Sequence, residues 1–496
     1  MKKVCLVIPP SVFLLDERVF VSLGVLKVVA VLERDGHEVE VVDLSGVENY
    51  VEVLALHAAA SDATIYGITA TTPQLPAALA IVDRLREVGR PGVRAILGGP
   101  HATLVNAAVK VEERAHRISR AHSALVHLRQ RFDVIVAGDG ERAALQAIAE
   151  DAPWLIDADA KSGGLFMSDA EYEETPWPAR HLVDMASYHY TIEGFPATSL
   201  IAQLGCPFGC GFCGGRSSRM LRTIRTRSTA SIVAELEHLH ATYGYTGFMF
   251  YDDELNVSRT MVELMRAVTA LQDRLGVAFR LRGFVKAELF TAEQAGAMYA
   301  AGFRWILCGF EAAHPRILKN IEKRATLDDN NRAMEYARAA GLKVKALMSI
   351  GHPGETLETV NAVEDWLIAV QPDDFDCTVI TCYPGTPYYD QAVPHASIER
   401  AWTYTAKGGD RLHSFDIDFT TTAGYYKGAP GGGYEAYVFT DELSSAQIVT
   451  LRDNLEARVR AKLGIPWNVG HAATRYEHSM GQGLPLSILR STADCR

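Results

Sequence analysis

The chain has 496 residues, long for one core, so two or three domains are expected. With 48% apolar, 22% charged and 9% aromatic residues it is an ordinary globular composition, which excludes a disordered chain. A net charge of −11, from 49 basic and 60 acidic side chains, argues against a nucleic-acid partner. The most apolar run, near Val19–Leu32, is short and carries Lys27, so no membrane span is expected. Pro9 and Pro10 break the opening "MKKVCLVIPP", which reads as a buried strand rather than an export signal. Eight Cys in such a chain fit a reducing, cytoplasmic setting, where clustered thiols are metal ligands or catalytic groups sooner than disulfides.

In chain order, the first 150 residues alternate β-rich runs with helical patterns. Strands are expected at "KVCLVIP", "EVEVVDL", "ATIYGITA", "VRAILGG" and "DVIVAG", and helices near Ser22–Arg34, Glu48–Ala60 and Pro73–Val88. Continuous apolar strands separated by helices indicate an α/β domain with a parallel, Rossmann-like sheet. In a flavodoxin-like order the ligand crevice lies between the ends of the first and third strands. Those ends carry Pro9, Pro10 and Ser11, and Thr69, Thr71, Thr72 and Gln74. Neighbouring ends carry "GGPH", with Gly98, Gly99 and His101, and "GDGE", with Gly138, Gly140 and Glu141. Small residues there let a bulky ligand approach the backbone.

Residues 151–195, rich in Pro, Gly and acids, read as a linker. A second alternating series follows over 196–395. Strands are expected at Thr198–Leu204, Gly247–Asp252, Ala278–Gly283, Arg304–Glu311, Lys343–Gly351 and Asp374–Tyr383. About six β/α units suggest a partial barrel with its site at the strand C-termini. The remainder, 396–496, reads as a C-terminal cap.

"CPFGCGFC" follows the first of these strands and places Cys206, Cys210 and Cys213 in a C-x₃-C-x₂-C spacing. Structural zinc usually takes four ligands, and no fourth Cys or His is close by. Three thiolates would leave one iron of a 4Fe–4S cluster open. On spacing alone a zinc site completed from afar, or three ordinary thiols, stays open. Asp252 and Asp253 fit either ligand contacts or a cap for a helix from Ser258. Glu311 should point into the barrel by alternation with Leu307 and Gly309, toward a ligand or a simple ion pair. His101 fits a ligand contact or a solvated loop. Cys5 and Cys308 read as core; of Cys377 and Cys382 only one could face the barrel. The Tyr425–Tyr437 stretch fits a substrate pocket or surface packing.

The motif, with Phe212 before its last Cys, resembles the cluster motif of the radical S-adenosylmethionine (SAM) superfamily. "YDDE", "CGFEA", "SIGHPGET" and "TCYPGTPYYD" resemble further barrel segments of that family. The resemblance implies that Cys206, Cys210 and Cys213 ligate a 4Fe–4S cluster, whose open iron is chelated by SAM. It implies that strand-end residues, among them Phe212, Asp252, Asp253, Glu311, Ser349, Gly351 and Val379, hold the rest of SAM. "SLGVLKVVAVLERDGHEVEVVDL", "GGPHATL" and "GDGE" resemble the cobalamin-binding domain fused to one branch of the family. Its D-x-H-x-x-G is absent: Asp35-Gly36-His37 continues with Glu40, which leaves the lower cobalt face unassigned.

The family expectation is a radical SAM C-methyltransferase using methylcobalamin, a small-molecule, natural-product type substrate and a flavodoxin- or ferredoxin-type electron donor. The alternatives are radical oxidation, cyclisation or ring rearrangement without methyl transfer, and a cobalamin-binding module with an inactive barrel.

Overall fold

A computed structural model describes residues 1–11, 17–117, 119–425 and 434–465. The first sheet is parallel, with β1 (Lys3–Ile8), β2 (Glu38–Asp43), β3 (Ile65–Thr69), β4 (Arg94–Gly98), β5 (Val134–Gly138) and β6 (Leu155–Ala158). Its order is β2-β1-β3-β4-β5-β6, so the direction of winding reverses between β1 and β3, where a ligand crevice is expected. Five strands are expected from the sequence and six are found. The sixth comes from the stretch read as linker, where four residues are too few to show a period.

The second sheet begins with β7 (Thr191–Ile192), which turns antiparallel into β8 (Phe195–Leu200). A two-residue ladder, β9 (Gln203–Leu204) with β10 (Arg225–Thr226), then brackets the cysteine loop. The parallel strands β11 (Gly247–Phe250), β12 (Arg280–Val285), β13 (Phe303–Glu311), β14 (Lys343–Ile350) and β15 (Asp374–Val379) continue from β8. β15 does not pair back to β8, so the expected partial barrel is open. β8 ends at Leu200 rather than Leu204, because the Asp252 carboxylate takes the N–H groups of Ala202 and Gln203 and bends the chain there.

A small antiparallel sheet follows, of β16 (Val393–Pro394), β17 (Ala401–Thr405), β18 (Arg411–Phe415) and β19 (Val438–Phe439). The helix Ser445–Leu463 then packs on β15. Glu456 of that helix accepts the Cys377 N–H at 2.6 Å, and Arg460 pairs with Asp374 at 3.1 Å. Cys5, Cys308, Cys377 and Cys382 are all buried. Most of the Tyr425–Tyr437 stretch lies outside the described residues; Tyr425 and Tyr434 are buried, which disfavours surface packing for those two.

The two halves share one hydrophobic core. Val19 and Phe20 of the first half pack with Ala197, Met249, Phe284, Leu307 and Leu347 on one face of the second sheet. Arg225, just past the cysteine loop, pairs with Asp139 at the end of β5, and both side chains are almost fully buried. Arg120 lies over the rings of Tyr389 and Trp402.

Candidate active site

The first half contributes a crevice lined mainly by uncharged groups, with the buried Glu17 carboxylate taking the Ser11 N–H beside it. The Gln74 amide donates to the Pro9 carbonyl and the Ser11 hydroxyl, both at 3.0 Å, while Thr71 donates to its oxygen. One glutamine thereby ties the end of β1 to the end of β3. Gly99 has a φ of +91°, and a Cβ there would stand 2.4 Å from the Thr69 hydroxyl, so a side chain is excluded. His101 follows in the first turn of the helix Pro100–Arg114. Its Nδ1 meets the Thr72 hydroxyl at 3.0 Å, and its ring sits edge-on to Phe419. It is 2% exposed, so the solvated-loop reading is corrected: burial lowers its pKa to about 4 and keeps it neutral.

Gly138 N donates to the Thr103 hydroxyl at 2.9 Å, on the helix that carries His101, and Gly140 and Glu141 follow it. Gly138 (φ +100°) abuts the backbone of Asp159, Gly140 packs near Val28, and buried Glu141 faces the charge of Lys27. His37 accepts the Lys2 N–H at 3.1 Å, in the turn into β2.

The cysteine loop is tightly confined. Gly205 (φ +85°) and Gly215 (φ +80°) would drive a Cβ into the Thr223 carbonyl and the Leu221 side chain. A Cβ on Gly211 would lie 2.3 Å from the Tyr388 ring, while Gly211 N donates to Ile321 O at 2.9 Å and its carbonyl accepts from Tyr388 N at 3.1 Å. Arg216 reaches across the loop to the carbonyls of Cys206 (2.7 Å) and Phe208. Phe212 packs edge-on against His352.

Two sulfurs on one zinc ion, each about 2.3 Å from it, lie no more than about 4.6 Å apart. Among the described residues one trio of donors lies within 4.8 Å of one another, and it is Cys5, Glu40 and His57, not the loop thiols. In that trio Glu40 is already engaged by Lys3 and Ser61. The wider thiols suit a polynuclear cluster, in which each cysteine takes a different iron. Burial raises the pKa of Cys210, and that of Cys213 to about 12; nearby Lys323 and Lys286 for Cys210, and Arg216 for Cys213, pull the other way. Thiols so held must lose protons to a metal, and these cations offset the charge that results.

Across the barrel mouth runs a buried polar chain. Lys323 Nζ donates to Glu311 Oε1 at 3.1 Å, and Ser349 Oγ donates to Glu311 Oε2 at 2.8 Å. Ser349 Oγ also meets His352 Nε2 at 2.9 Å, and His352 Nδ1 lies 3.4 Å from the Tyr388 hydroxyl. His352 is fully buried, which lowers its pKa to about 4. A neutral imidazole satisfies one direction throughout: Tyr388 O–H to Nδ1, Nε2–H to Ser349, and Ser349 O–H to Glu311. Burial works against the Glu311 charge, but Lys323 and the Ser349 hydroxyl hold its pKa below the usual value.

Glu311 sits at φ +65°, beyond a bulge in the β13–β14 pairing. A Cβ on Gly309 would touch both its carboxylate and Lys323, so glycine there makes room for the pair. Strain of this kind persists where surrounding structure holds it, often at functional sites. The expected inward direction and the simple ion pair are therefore both present.

Asp252 is 2% exposed; among the described residues it caps no helix, its Oδ1 clamps Ala202 and Gln203, and its Oδ2 has no partner, and burial raises its pKa to about 7. Asp253 stands open to solvent but hemmed in by protein, which raises its pKa against the pull of Arg216. Glu254, also pushed to about 7 by burial, lies near Lys323 and Lys286. Gly351 (φ +88°) contacts Val438 of the C-terminal sheet, and the Val379 carbonyl accepts from the Tyr434 hydroxyl at 3.1 Å.

The two sets meet along the helix Pro100–Arg114. His101 holds the crevice loop, and Leu104, one turn on, packs beside the positions of Gly214 and Gly385. The sequence reading did not single out Arg216, Lys286, Lys323, His352 or Tyr388. His352 and Tyr388 stand within quoted barrel segments; the cations have no local signature.

Comparison with known proteins bears on both halves. Residues 200–367 match the Radical SAM superfamily and residues 17–118 the B12 binding domain. An uncharacterized methyltransferase of Pyrococcus horikoshii is 26% identical over 79% of this chain and 83% of its own length. The anaerobic magnesium-protoporphyrin IX monomethyl ester cyclase of Rubrivivax gelatinosus is 24% identical over 71% of this chain and 60% of its own. Among solved structures, the radical SAM methyltransferase TsrM from Kitasatospora setae, with tryptophan substrate and a SAM analogue bound, has the same fold. Its TM-score is 0.60, at 22% identity over 82% of this chain and 80% of that one. No helix among the described residues is long and apolar enough to cross a membrane.

Proposed function

We infer, for a chain that belongs to the cobalamin-binding radical SAM enzymes, that it methylates an unactivated carbon of a small, natural-product type molecule. Its cofactors are a 4Fe–4S cluster, SAM and cobalamin. When bound, the cluster with SAM supplies a hydrogen-abstracting radical, and cobalamin in its methyl form supplies the group to be transferred. Cys206, Cys210 and Cys213 would hold the cluster. Glu311, Ser349, Asp253, Phe212, Gly351 and Val379 line the strand ends where SAM is expected, with Asp252 bracing the turn beneath. Pro9, Pro10, Ser11, Thr69, Thr71, Thr72, Gln74, Gly98, Gly99 and His101 form the crevice for cobalamin. Gly138, Gly140 and Glu141 stand at the end of the neighbouring strand, where Gly138 N bonds Thr103 of the helix that carries His101.

What these residues do is position and shield. Glu311 presents a charged carboxylate in a water-poor site, where it would favour a cationic amino group. Neutral His352 orients the Ser349 hydroxyl toward Glu311 and adds no competing charge. Asp253 stays beside the cysteine loop, open to a ligand. The observation that carries the reading is the shared helix: His101 bonds the crevice loop while Leu104 packs against the residues flanking the cysteine and β15 loops. A substrate between them can approach both reactive centres, and direct transfer needs reacting atoms within about 3.5 Å.

The test is anaerobic incubation of the reconstituted protein with SAM, reductant and candidate acceptors. Methylation gives S-adenosylhomocysteine, 5′-deoxyadenosine carrying the abstracted hydrogen, and a product in which methyl has replaced hydrogen, heavier by one CH2. The similarity to a cyclase favours, as a second reading, oxidation or ring formation without methyl transfer. That reading gives 5′-deoxyadenosine and no S-adenosylhomocysteine. Neither nucleoside would leave the binding-module reading.

A further inference from the structure

Below the crevice, three donor groups of the first half converge on one point. We propose that Cys5, Glu40 and His57 bind a zinc ion, in a site separate from the crevice and the barrel mouth, with the fourth position left to water.

The fold brings the three together. Cys5 of β1 pairs in register with Glu40 of β2, so their side chains share one face of the sheet. His57 stands in the last turn of the helix Tyr50–Ala60, which packs on that face. Its Nε2 lies 3.6 Å from Cys5 Sγ and 3.0 Å from Glu40 Oε2, and all three donor atoms are within 4.8 Å of one another. Around tetrahedral zinc, with Zn–S about 2.3 Å and Zn–N and Zn–O about 2.0–2.1 Å, sulfur and nitrogen stand about 3.6 Å apart and nitrogen and oxygen about 3.3 Å. One nitrogen cannot serve both partners well on its own. A proton on Nε2 serves the carboxylate and leaves the sulfur only a share of it; a bare Nε2 serves the thiol but meets a carboxylate lone pair. A cation between them satisfies all three. A thiolate with an imidazole selects a dication of the zinc class over magnesium or calcium.

The surroundings suit such a ligand set. Ser61 donates to Glu40 Oε2 at 2.6 Å and Lys3 holds Oε1 at 2.8 Å, outer contacts that orient the carboxylate while Oε2 still faces His57. Lys3 also pairs with Glu38 and Asp62, and Arg90 acts on Asp62 from nearby. Three carboxylates against two cations leave one negative charge, with the imidazole neutral as a metal ligand must be. Zinc that displaces the thiol proton to solvent adds one positive charge and brings the group to neutrality. Cys5 is fully buried, but the side chains of His57 and Glu40 are 30% and 25% exposed, which gives an ion a way in and water the fourth position. Cys5 precedes Pro9 by four positions, about 13 Å of strand, so the site does not reach the crevice.

The experiment uses the holoprotein, with cluster and cobalamin in place so that iron occupies the loop thiols. It is equilibrated anaerobically with zinc, desalted, and read by elemental analysis and by X-ray absorption at the zinc edge. About one zinc per chain is expected, with a single sulfur at about 2.3 Å and the remaining neighbours, nitrogen or oxygen, at about 2.0–2.1 Å. Cys5→Ala and His57→Gln remove one ligand each; the second lies at a partly exposed helix end and spares the core. Both should keep iron and cobalamin and lose zinc affinity by more than the roughly 10–100-fold that loss of an outer partner costs, measured by competition with a chromophoric chelator. Ser61→Ala, which removes such a partner, should lose about tenfold. Zinc with no sulfur neighbour, an adventitious surface ion, would overturn the proposal. So would zinc bound by three or four sulfurs, which would place it in the cysteine loop. No retained zinc, or equal affinity in the parent and His57→Gln, would overturn it as well.

Discussion

The crevice and the barrel mouth meet along the helix Pro100–Arg114 but are built on different electrostatic plans. The crevice is closed by Gln74, threonine hydroxyls, prolines and a neutral His101. The barrel mouth holds Lys323, Lys286, Glu311, Glu254 and Arg216, all with little access to water. A large macrocycle needs a smooth wall of small groups; an amino acid moiety and a thiolate-bound cluster need fixed countercharges. The contrast teaches that each half is matched to its own cofactor, so damage on one side should leave the other able to bind.

The largest effect that tests this is loss of the cluster. The triple variant C206A/C210A/C213A should fall from about four iron and four sulfide per chain to none. Cobalamin should still bind, with an unchanged visible spectrum of the bound form. Iron retained by the triple variant would refute the cysteine assignment, and cobalamin lost together with iron would refute the independence of the halves.

The next largest effect lies at the seam. Asp139→Asn leaves Arg225 buried without its countercharge. Breaking such a pair costs on the order of 3–5 kcal/mol, read as a lower midpoint in urea. A loss below about 1 kcal/mol, the size seen for surface pairs, would show that the seam does not depend on it.

How much of this was legible in the sequence follows from the reach of each signal. The parallel strands were legible because continuous apolar runs between helices are local. The cysteine motif was legible because three cysteines fall within eight residues. Lys323 was not, because its meaning comes from Glu311, which precedes it on a strained strand end. The same holds for Arg216, whose targets are backbone carbonyls across a loop. Asp252 fitted a ligand contact or a helix cap, and among the described residues it caps no helix. Its clamp on Ala202 and Gln203 joins residues some fifty positions apart, beyond any periodicity.

The two plans should also answer acid differently. His101 has its pKa depressed from 6.5 to about 4, so its share of stability is present above pH 6.5 and is lost as pH falls toward 4. A shift of that size corresponds to roughly 3–4 kcal/mol. Asp252 is raised from 3.8 to about 7, so its share is present below pH 3.8 and is lost as pH rises toward 7. From pH 7 down to 4.5, the Tm of His101→Gln should gain on the parent, while that of Asp252→Asn should fall further behind. Parallel curves for both variants would erase the contrast.

The smallest effect separates the two functions of Tyr388. Its ring fills the space that a Cβ on Gly211 would need, and its hydroxyl ends the polar chain through His352. The hydroxyl contact is long, at 3.4 Å, whereas the ring contact is close-packed. Tyr388→Phe keeps the ring and deletes only the hydrogen bond, which should cost about 0.5–1.5 kcal/mol and leave iron content intact. Without the donor at Nδ1, His352 is free to take the other tautomer and offer Ser349 an acceptor instead. SAM affinity should then weaken a few-fold while cobalamin affinity stays unchanged. Gly211→Ala attacks the other function: its methyl collides with the ring, so the loop or Tyr388 must move and the cluster should be lost or much depleted. If Tyr388→Phe lost the cluster and Gly211→Ala kept it, the hydroxyl rather than the ring would be what secures the loop, and the charged plan of the barrel mouth would extend to the cysteines themselves.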